Sequence, residues 1–223
     1  MAFPLAHLCV GYEVLKKLEL EESDKSMFIL ANLAPDALHM RSEFKNTDMK
    51  NIGAYKKITH ICPVSDERWG NVTDNDGWLK KIRLFRQENL NTFGFGYTVH
   101  VITDWLSNSD IWDEFRRNNP DEFIKGYKSG YYDDMVELDM RLYTDNPNIK
   151  LALDVLKPAE IKNDFYWKGD LLARADEVMT IKDNILYEHY KPTKNVDYKY
   201  KFVTYERILE FISKAAEFAL TLY

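Results

Sequence analysis

The centre of the sequence is an apolar run, Gly94-Phe95-Gly96-Tyr97-Thr98-Val99-His100-Val101-Ile102-Thr103-Asp104-Trp105-Leu106, which contains one imidazole and one carboxylate. In a helix, side chains four residues apart lie on one face, one turn apart, where they can bind the same cation. Burying either group in apolar surroundings is costly unless the group is paired or coordinated. For this motif alone, the simpler interpretation is a hydrogen bond between His100 and Asp104.

Three further residues, His7, Asp36 and His60, change that interpretation. Each has a structural explanation of its own: His7 as a surface histidine, Asp36 as a turn residue or helix cap, and His60 as a core histidine bonded to backbone. With His100 and Asp104 they form a set of imidazoles and carboxylates, the ligands that zinc takes in hydrolytic sites. Such a set can hold two ions if one carboxylate bridges them. Two ions would activate a water and neutralise charge on a phosphoryl group.

The spacing of apolar residues along the chain predicts an all-α fold. No run shows the alternation that is typical of a strand. The prediction is a single multi-helix domain over residues 1–223, with helices at 5–18, 23–33, 77–89, 91–108, 120–143, 147–156, 170–181 and 202–222. It adds a short helix or extended segment at 52–60, loops at 41–51 and 63–76, and an irregular stretch at 187–200.

The composition is that of a folded, acidic protein. The chain has 223 residues, of which 45% are hydrophobic and 30% charged, enough for one domain with a sizeable core. A net charge of -6 provides no basic field for nucleic acid or an anionic membrane. Cys9 and Cys62 lie beside apolar residues and are expected to be buried and reduced. The first ten residues lack a basic region, so we expect no signal peptide and a cytoplasmic location.

In their order along the chain, these motifs resemble the zinc-dependent phospholipase C family, which is related in fold to the P1-type zinc nucleases. The matching residues lie in the first half of the chain: His7, Pro35-Asp36, Thr59-His60, and Gly96-Tyr97 to His100-x-x-x-Asp104. The resemblance implies that Asp36, His60, His100 and Asp104 surround one zinc, that His7 holds a second, and that Asp104 bridges the two. It also implies that Asp36 acts as a general base.

The chain departs from that family in two ways. Members with three zinc ions take two histidines and a glutamate after the His-x-x-x-Asp motif, but this chain has no histidine between His100 and His189. Secreted members also use an amino group exposed by signal removal, which is not predicted here. We therefore expect a second metal that is weaker, exchangeable or missing, and a third site that is absent or built from carboxylates such as Asp110, Glu114, Asp133, Asp134 or Glu137.

Four other features have mainly structural interpretations. We expect His39 to be exposed, with an auxiliary ligand or substrate-contact role as the alternative, and His189 to be structural or exposed. Residues 174–177 are expected to form a solvated helix face, with phosphate binding by Arg174 as the alternative. The aromatic residues Phe93, Phe95, Tyr97 and Trp105 are expected in the core, with a platform for a lipid or a base as the alternative.

The sequence therefore predicts a metal-dependent phosphoric-ester hydrolase that is phospholipase C-like and uses a zinc-bound hydroxide. The expected cofactor is one or two zinc ions, or other divalent metals. The expected substrate is a small phosphoester or a phospholipid-type molecule, with no stable membrane insertion. The alternatives are a metallohydrolase that acts on nucleotides or nucleic acid, and a non-catalytic metal-binding or interaction domain. A histidine-aspartate-type phosphohydrolase is disfavoured because the chain contains no adjacent His-Asp pair.

Overall fold

The computed structural model describes residues 4–42, 55–63, 72–188 and 197–223. Most of these residues are helical, which confirms the predicted all-α class. The helices are α1 (Pro4–Leu15), α2 (Glu22–Ala31), α3 (Asn75–Glu88), α4 (Thr92–Ser107), α5 (Asp113–Asn118), α6 (Pro120–Ile124), α7 (Gly130–Asp145), α8 (Pro147–Leu156), α9 (Ala175–Asp183) and α10 (Tyr205–Leu220).

Shorter elements connect these helices. Two 3-10 turns cover Ala34–Met40 and Gly126–Lys128, two π turns cover Asn108–Trp112 and Asn184–Glu188, and residues 55–59 form a helical turn. The strands β1 (Phe165–Trp167) and β2 (Asp170–Ala173) form an antiparallel hairpin.

Helix α4 lies at the centre of the fold. Its side chains from Gly94 to Ser107 are buried, except that of Trp105, which is partly exposed. A helix that is apolar on all sides must be covered on all sides, and α4 packs against α1, α2, α3 and α10. Its first turn is capped by Asn91, whose side-chain oxygen accepts a hydrogen bond from the Gly94 amide at 2.7 Å. The helix therefore holds His100 and Asp104 in the interior of the protein.

Gly96 lets α4 approach α2 closely. A Cβ atom at this position would lie 2.2 Å from the carbonyl oxygen of Phe28 and 2.9 Å from the Cβ of Ala31. The short separation brings the Asn32 carbonyl, at the end of α2, within 2.7 Å of His100 Nδ1. The close packing of α2 and α4 thus orients the His100 ring.

Helix α1 is anchored at its N-terminus by Asp139 of α7. The buried carboxylate accepts hydrogen bonds from the backbone amides of Leu5 at 3.0 Å and Ala6 at 3.3 Å. These amides have no partner within their own helix, and a negative charge at this end is favourable. His7, in the same first turn, is completely buried. The interpretation of His7 as a surface residue is therefore wrong.

The predicted helix over 120–143 is divided in the structure. Helix α6 ends at Ile124, a 3-10 turn follows, and α7 begins only at Gly130. Gly126 has a φ of 57°, outside the helical region, and Ser129 caps the new helix by accepting a hydrogen bond from the Tyr131 amide. These local signals outweigh the apolar spacing that suggested one continuous helix. Helix α5 was not predicted.

The predicted helix over 170–181 is wrong in its first third. Residues 170–173 form β2, and α9 begins at Ala175. Lys168 and Gly169 connect the strands with φ values of 52° and 88°, the backbone geometry of a tight hairpin turn. The strands contain only three and four residues, too few to show alternation.

The remaining predictions have mixed outcomes. Cys9 and Cys62 are buried, as expected, and residues 55–59 of the segment predicted at 52–60 are helical. His189 and most of the loops predicted at 41–51, 63–76 and 187–200 lie outside the described residues. Across the ranges that are described, every helix is too short or too polar to traverse a lipid bilayer.

Candidate metal centre

The five predicted side chains converge on one buried site. They form two overlapping groups whose potential ligand atoms lie within 4.8 Å of one another: His7, His100 and Asp104, and Asp36, His60 and His100. α1 supplies His7, the first 3-10 turn supplies Asp36, and His60 follows the helical turn at 55–59. Elements distant in the sequence therefore meet around α4, and they form groups that could hold a metal ion.

Asp104 directs its two oxygens toward different histidines. Its Oδ1 lies 3.4 Å from His7 Nε2, whereas its Oδ2 lies 3.3 Å from His60 Nε2 and 4.0 Å from His100 Nε2. Asp36 likewise faces His60 with Oδ1 at 3.4 Å and His100 with Oδ2 at 3.9 Å. The Nε2 atoms of all three histidines therefore point at carboxylate oxygens.

The shorter of these separations match the spacing of ligands around a cation. A charge-assisted hydrogen bond between an imidazole and a carboxylate is normally about 2.7–2.9 Å long. Two ligand atoms that are each about 2.0–2.1 Å from a tetrahedral zinc ion lie about 3.4 Å apart. The three distances of 3.3–3.4 Å that involve His7 and His60 agree with the second value, whereas the two that involve His100, 3.9 and 4.0 Å, are longer than both values.

Hydrogen bonds to Nδ1 orient two of the rings. His100 Nδ1 donates to the Asn32 carbonyl at 2.7 Å, and His60 Nδ1 lies 2.9 Å from the Thr59 hydroxyl. When Nδ1 of a neutral imidazole carries the proton, Nε2 presents a lone pair, which is the arrangement usual for metal-binding histidines. The ring of His7 stacks on that of His100 with centroids 3.7 Å apart. The three rings are thus fixed before any ligand binds.

Several polar atoms at the site are buried without a hydrogen bond. Among the described residues, both ring nitrogens of His7 and Nε2 of His100 have no hydrogen-bond partner. Such groups are rare in native proteins because desolvation without compensation costs about 1–3 kcal/mol each. A cation bound to Nε2 of His7 and to Nε2 of His100 would satisfy two of these three nitrogens.

The site favours ionised carboxylates. Burial alone would raise the pKa of Asp36, but the Lys56 ammonium and the nearby histidines hold it well below the usual range. The pKa of Asp104 is also held well below the usual range, because the nearby imidazoles of His60 and His7 outweigh the opposing effect of burial. Burial lowers the pKa of His100 to about 3, and repulsion from His7 adds to this effect. At neutral pH the site therefore offers two carboxylates and an uncharged His100 to a cation.

Asp36 is the most accessible of the five residues. Its side chain is 15% exposed, whereas those of the other four are at most 4% exposed. Two cationic or titratable groups flank it: Lys56 Nζ lies 3.8 Å and His39 Nε2 lies 3.5 Å from Oδ1. His39 is 40% exposed, as expected, yet it is close to the site. Lys56 was not predicted from the sequence, although its position four residues before His60 places both residues on one helical face.

A buried ion pair holds the 3-10 turn that carries Asp36. Arg41 donates two hydrogen bonds to Glu177 of α9, at 2.8 and 3.0 Å, and both side chains are nearly inaccessible. Paired contacts of this kind fix geometry as well as charge. The predicted solvated face at 174–177 is therefore wrong for Glu177. Arg174 also contacts this carboxylate, at 3.3 Å.

The carboxylates suggested for a third metal do not join the site. Asp110 pairs with Arg207 and with Lys214, whose Nζ lies 2.8 Å away. Asp134 accepts hydrogen bonds from the Tyr198 hydroxyl and from three consecutive backbone amides, 201–203. In the part of the chain that is described, the two groups above are the only clusters with suitable geometry.

We expect Asp110→Asn to lower stability without affecting metal content. Lys214 and Arg207 hold the pKa of Asp110 below its ordinary value against the opposing effect of burial. A lowered pKa stabilises the folded state above the unfolded pKa of about 3.9, and this contribution is lost as the pH falls through the folded pKa. Urea unfolding should show a loss of about 1 kcal/mol at pH 7, and less at pH 3. Exposed Asp133→Asn is the control; an equal loss at both pH values would contradict this assignment.

No protein-family model, no curated protein and no solved structure matches this chain.

Proposed function

We propose that the chain is a metal-dependent phosphoric-ester hydrolase, phospholipase C-like, with one or two zinc ions held by His7, Asp36, His60, His100 and Asp104. The observation that carries this proposal is the division of the Asp104 carboxylate between His7 on one side and His60 and His100 on the other. A carboxylate placed in this way can bridge two cations, as in two-metal hydrolases. The order of the sequence motifs supports the same proposal.

The donor set favours zinc among the common divalent ions. Imidazole nitrogens with carboxylate oxygens suit borderline metals, although manganese, iron or cobalt could occupy the same ligands. When bound, the ions would lower the pKa of a water molecule and neutralise charge that develops at phosphorus. The products would be an alcohol and a phosphomonoester.

The protein's own residues would orient and protect this reaction. Asp36 is the most accessible of the five residues, so its carboxylate is the one that can face the attacking water and take its proton. The buried histidines and Asp104 keep bulk water from the interior of the site, where electrostatic interactions are stronger than in solvent. The hydrogen bond from His100 Nδ1 to the Asn32 carbonyl would leave the lone pair of Nε2 available to hold an ion.

A non-catalytic metal-binding domain is the second candidate. It is favoured by burial, since four of the five ligand side chains are at most 4% exposed. Structural metal sites are closed in this way, whereas catalytic sites keep an open coordination position. In this case the metal would stabilise the contact among α1, α4 and the 3-10 turn.

A hydrolase would turn over a phosphoester substrate, whereas a non-catalytic metal-binding domain would not. We expect the zinc-loaded protein to hydrolyse bis(4-nitrophenyl) phosphate, and Asp104→Asn to reduce the rate by about 100-fold or more. Parallel assays with phospholipid vesicles, nucleotides and single-stranded DNA would identify the preferred substrate class. Circular dichroism would confirm that the variant is folded. Stoichiometric zinc without turnover on any phosphoester would reject hydrolysis and leave the second candidate.

A further inference from the structure

Lys56 places an ammonium group at the accessible edge of the metal centre. Its Nζ lies 3.8 Å from Asp36 Oδ1, and only 10% of its side chain is exposed. This separation is too long for a good hydrogen bond, so the interaction is mainly electrostatic. A lysine this buried is uncommon, because removing an ammonium from water is costly without nearby negative charge.

The charge balance of the site changes when a metal binds. Asp36, Asp104 and Lys56 together carry one net negative charge if the histidines are neutral, as coordination requires. One divalent ion makes the sum positive, and a second ion makes it strongly positive. A buried positive excess is unfavourable, so the metal-loaded site should attract an anion.

We propose that Lys56 and the bound metal together form an anion subsite that takes the oxygens of a phosphoryl group. A lysine ammonium is a compact point charge with three donors, which suits a tetrahedral phosphate. Its position beside Asp36 places it next to the most accessible ligand of the centre. Because the site is positive once loaded, a phosphate dianion is bound more tightly than a phosphodiester monoanion. This inference rests on the proposed function for the location of the metal.

Lys56 should have opposite effects on the two ligands. Without phosphate, its positive charge repels a cation that approaches Asp36, so removing it should tighten zinc binding. With zinc in place, the same charge attracts phosphate, so removing it should weaken phosphate binding. A purely structural lysine would not change the two affinities in opposite directions.

The test is calorimetric titration of inorganic phosphate into zinc-loaded protein from which unbound zinc has been removed. We expect Lys56→Met to weaken phosphate binding by about 10- to 100-fold, the usual value of one charge-assisted hydrogen bond. Lys56→Arg, which keeps the charge, should recover most of this loss. Lys57→Met is the matched control, because adjacent helical residues are rotated by about 100°. A chelator competition assay should show tighter zinc binding in Lys56→Met than in the wild type, and weaker zinc binding would contradict the electrostatic role of Lys56.

The outcomes separate this inference from the proposed function. Equal phosphate affinity in the wild type and Lys56→Met, or no phosphate binding by zinc-loaded wild type, would overturn the role of Lys56. An equal loss in Lys57→Met would also overturn it, since general surface charge would then account for the effect. Phosphate binding that depends on Lys56 without phosphoester turnover would support the subsite and reject hydrolysis alone.

Discussion

Replacing His100 with asparagine is expected to remove all bound metal from the protein. His100 is the residue that both candidate ligand groups share, so its loss leaves neither group with three ligands. Asparagine is the informative substitution because its Nδ2 occupies nearly the position of histidine Nδ1 and can still donate to the Asn32 carbonyl. Only the Nε2 ligand is lost. Elemental analysis of purified, tag-free protein should find about one or two zinc equivalents in the wild type and almost none in the variant.

His39→Asn is the matched control for this experiment. His39 lies 3.5 Å from Asp36 and is 40% exposed, but it belongs to neither ligand group. We expect this variant to retain its zinc. His7→Asn should give an intermediate result, because it leaves the group of Asp36, His60 and His100 intact. A folded His100→Asn protein with full metal content would show that this cluster is not the metal site.

The sequence was most informative for the two candidate ligands that lie on one helix, α4. The four-residue separation of His100 and Asp104 needs only helical geometry to place both on one face, and the surrounding apolar run indicates a buried helix. Convergence of His7, Asp36 and His60 on that helix depends on tertiary packing, which local periodicity does not encode. Only the order of the motifs suggested that these three residues belong together.

The incorrect predictions also concern contacts that depend on tertiary packing. Three of the four residues 174–177 are charged, which fits a solvated helix face, but Glu177 is buried against Arg41, which is distant in the sequence. Lys56 is one of many lysines until the fold places Asp36 beside it. Gly169 is a local turn signal for the hairpin. Its strands are too short to show an alternating pattern, so residues 170–173 were predicted to be helical.

Gly96→Ala is expected to damage both the core and the metal centre. The new Cβ would lie 2.2 Å from the carbonyl oxygen of Phe28, and a backbone oxygen cannot rotate away as a side chain can. Helices α2 and α4 must therefore separate, and we expect a loss of about 3 kcal/mol or more in the free energy of unfolding. The hydrogen bond between His100 and Asn32 lies about one turn further along the same interface. Its loss should weaken zinc binding by about tenfold, as is typical when the partner that orients a ligand is removed.

Gly77→Ala in α3 provides the comparison. A Cβ there would meet the Asp74 carboxylate, a side chain that can rotate, so the expected change in stability is about 1 kcal/mol or less. Urea denaturation and zinc competition on both variants would separate packing from ligand orientation. If Gly96→Ala is as stable as the wild type, α2 and α4 do not pack this closely. If the variant is destabilised but binds zinc normally, the spacing of these helices does not orient His100, and the imidazole is held by its stacking on His7.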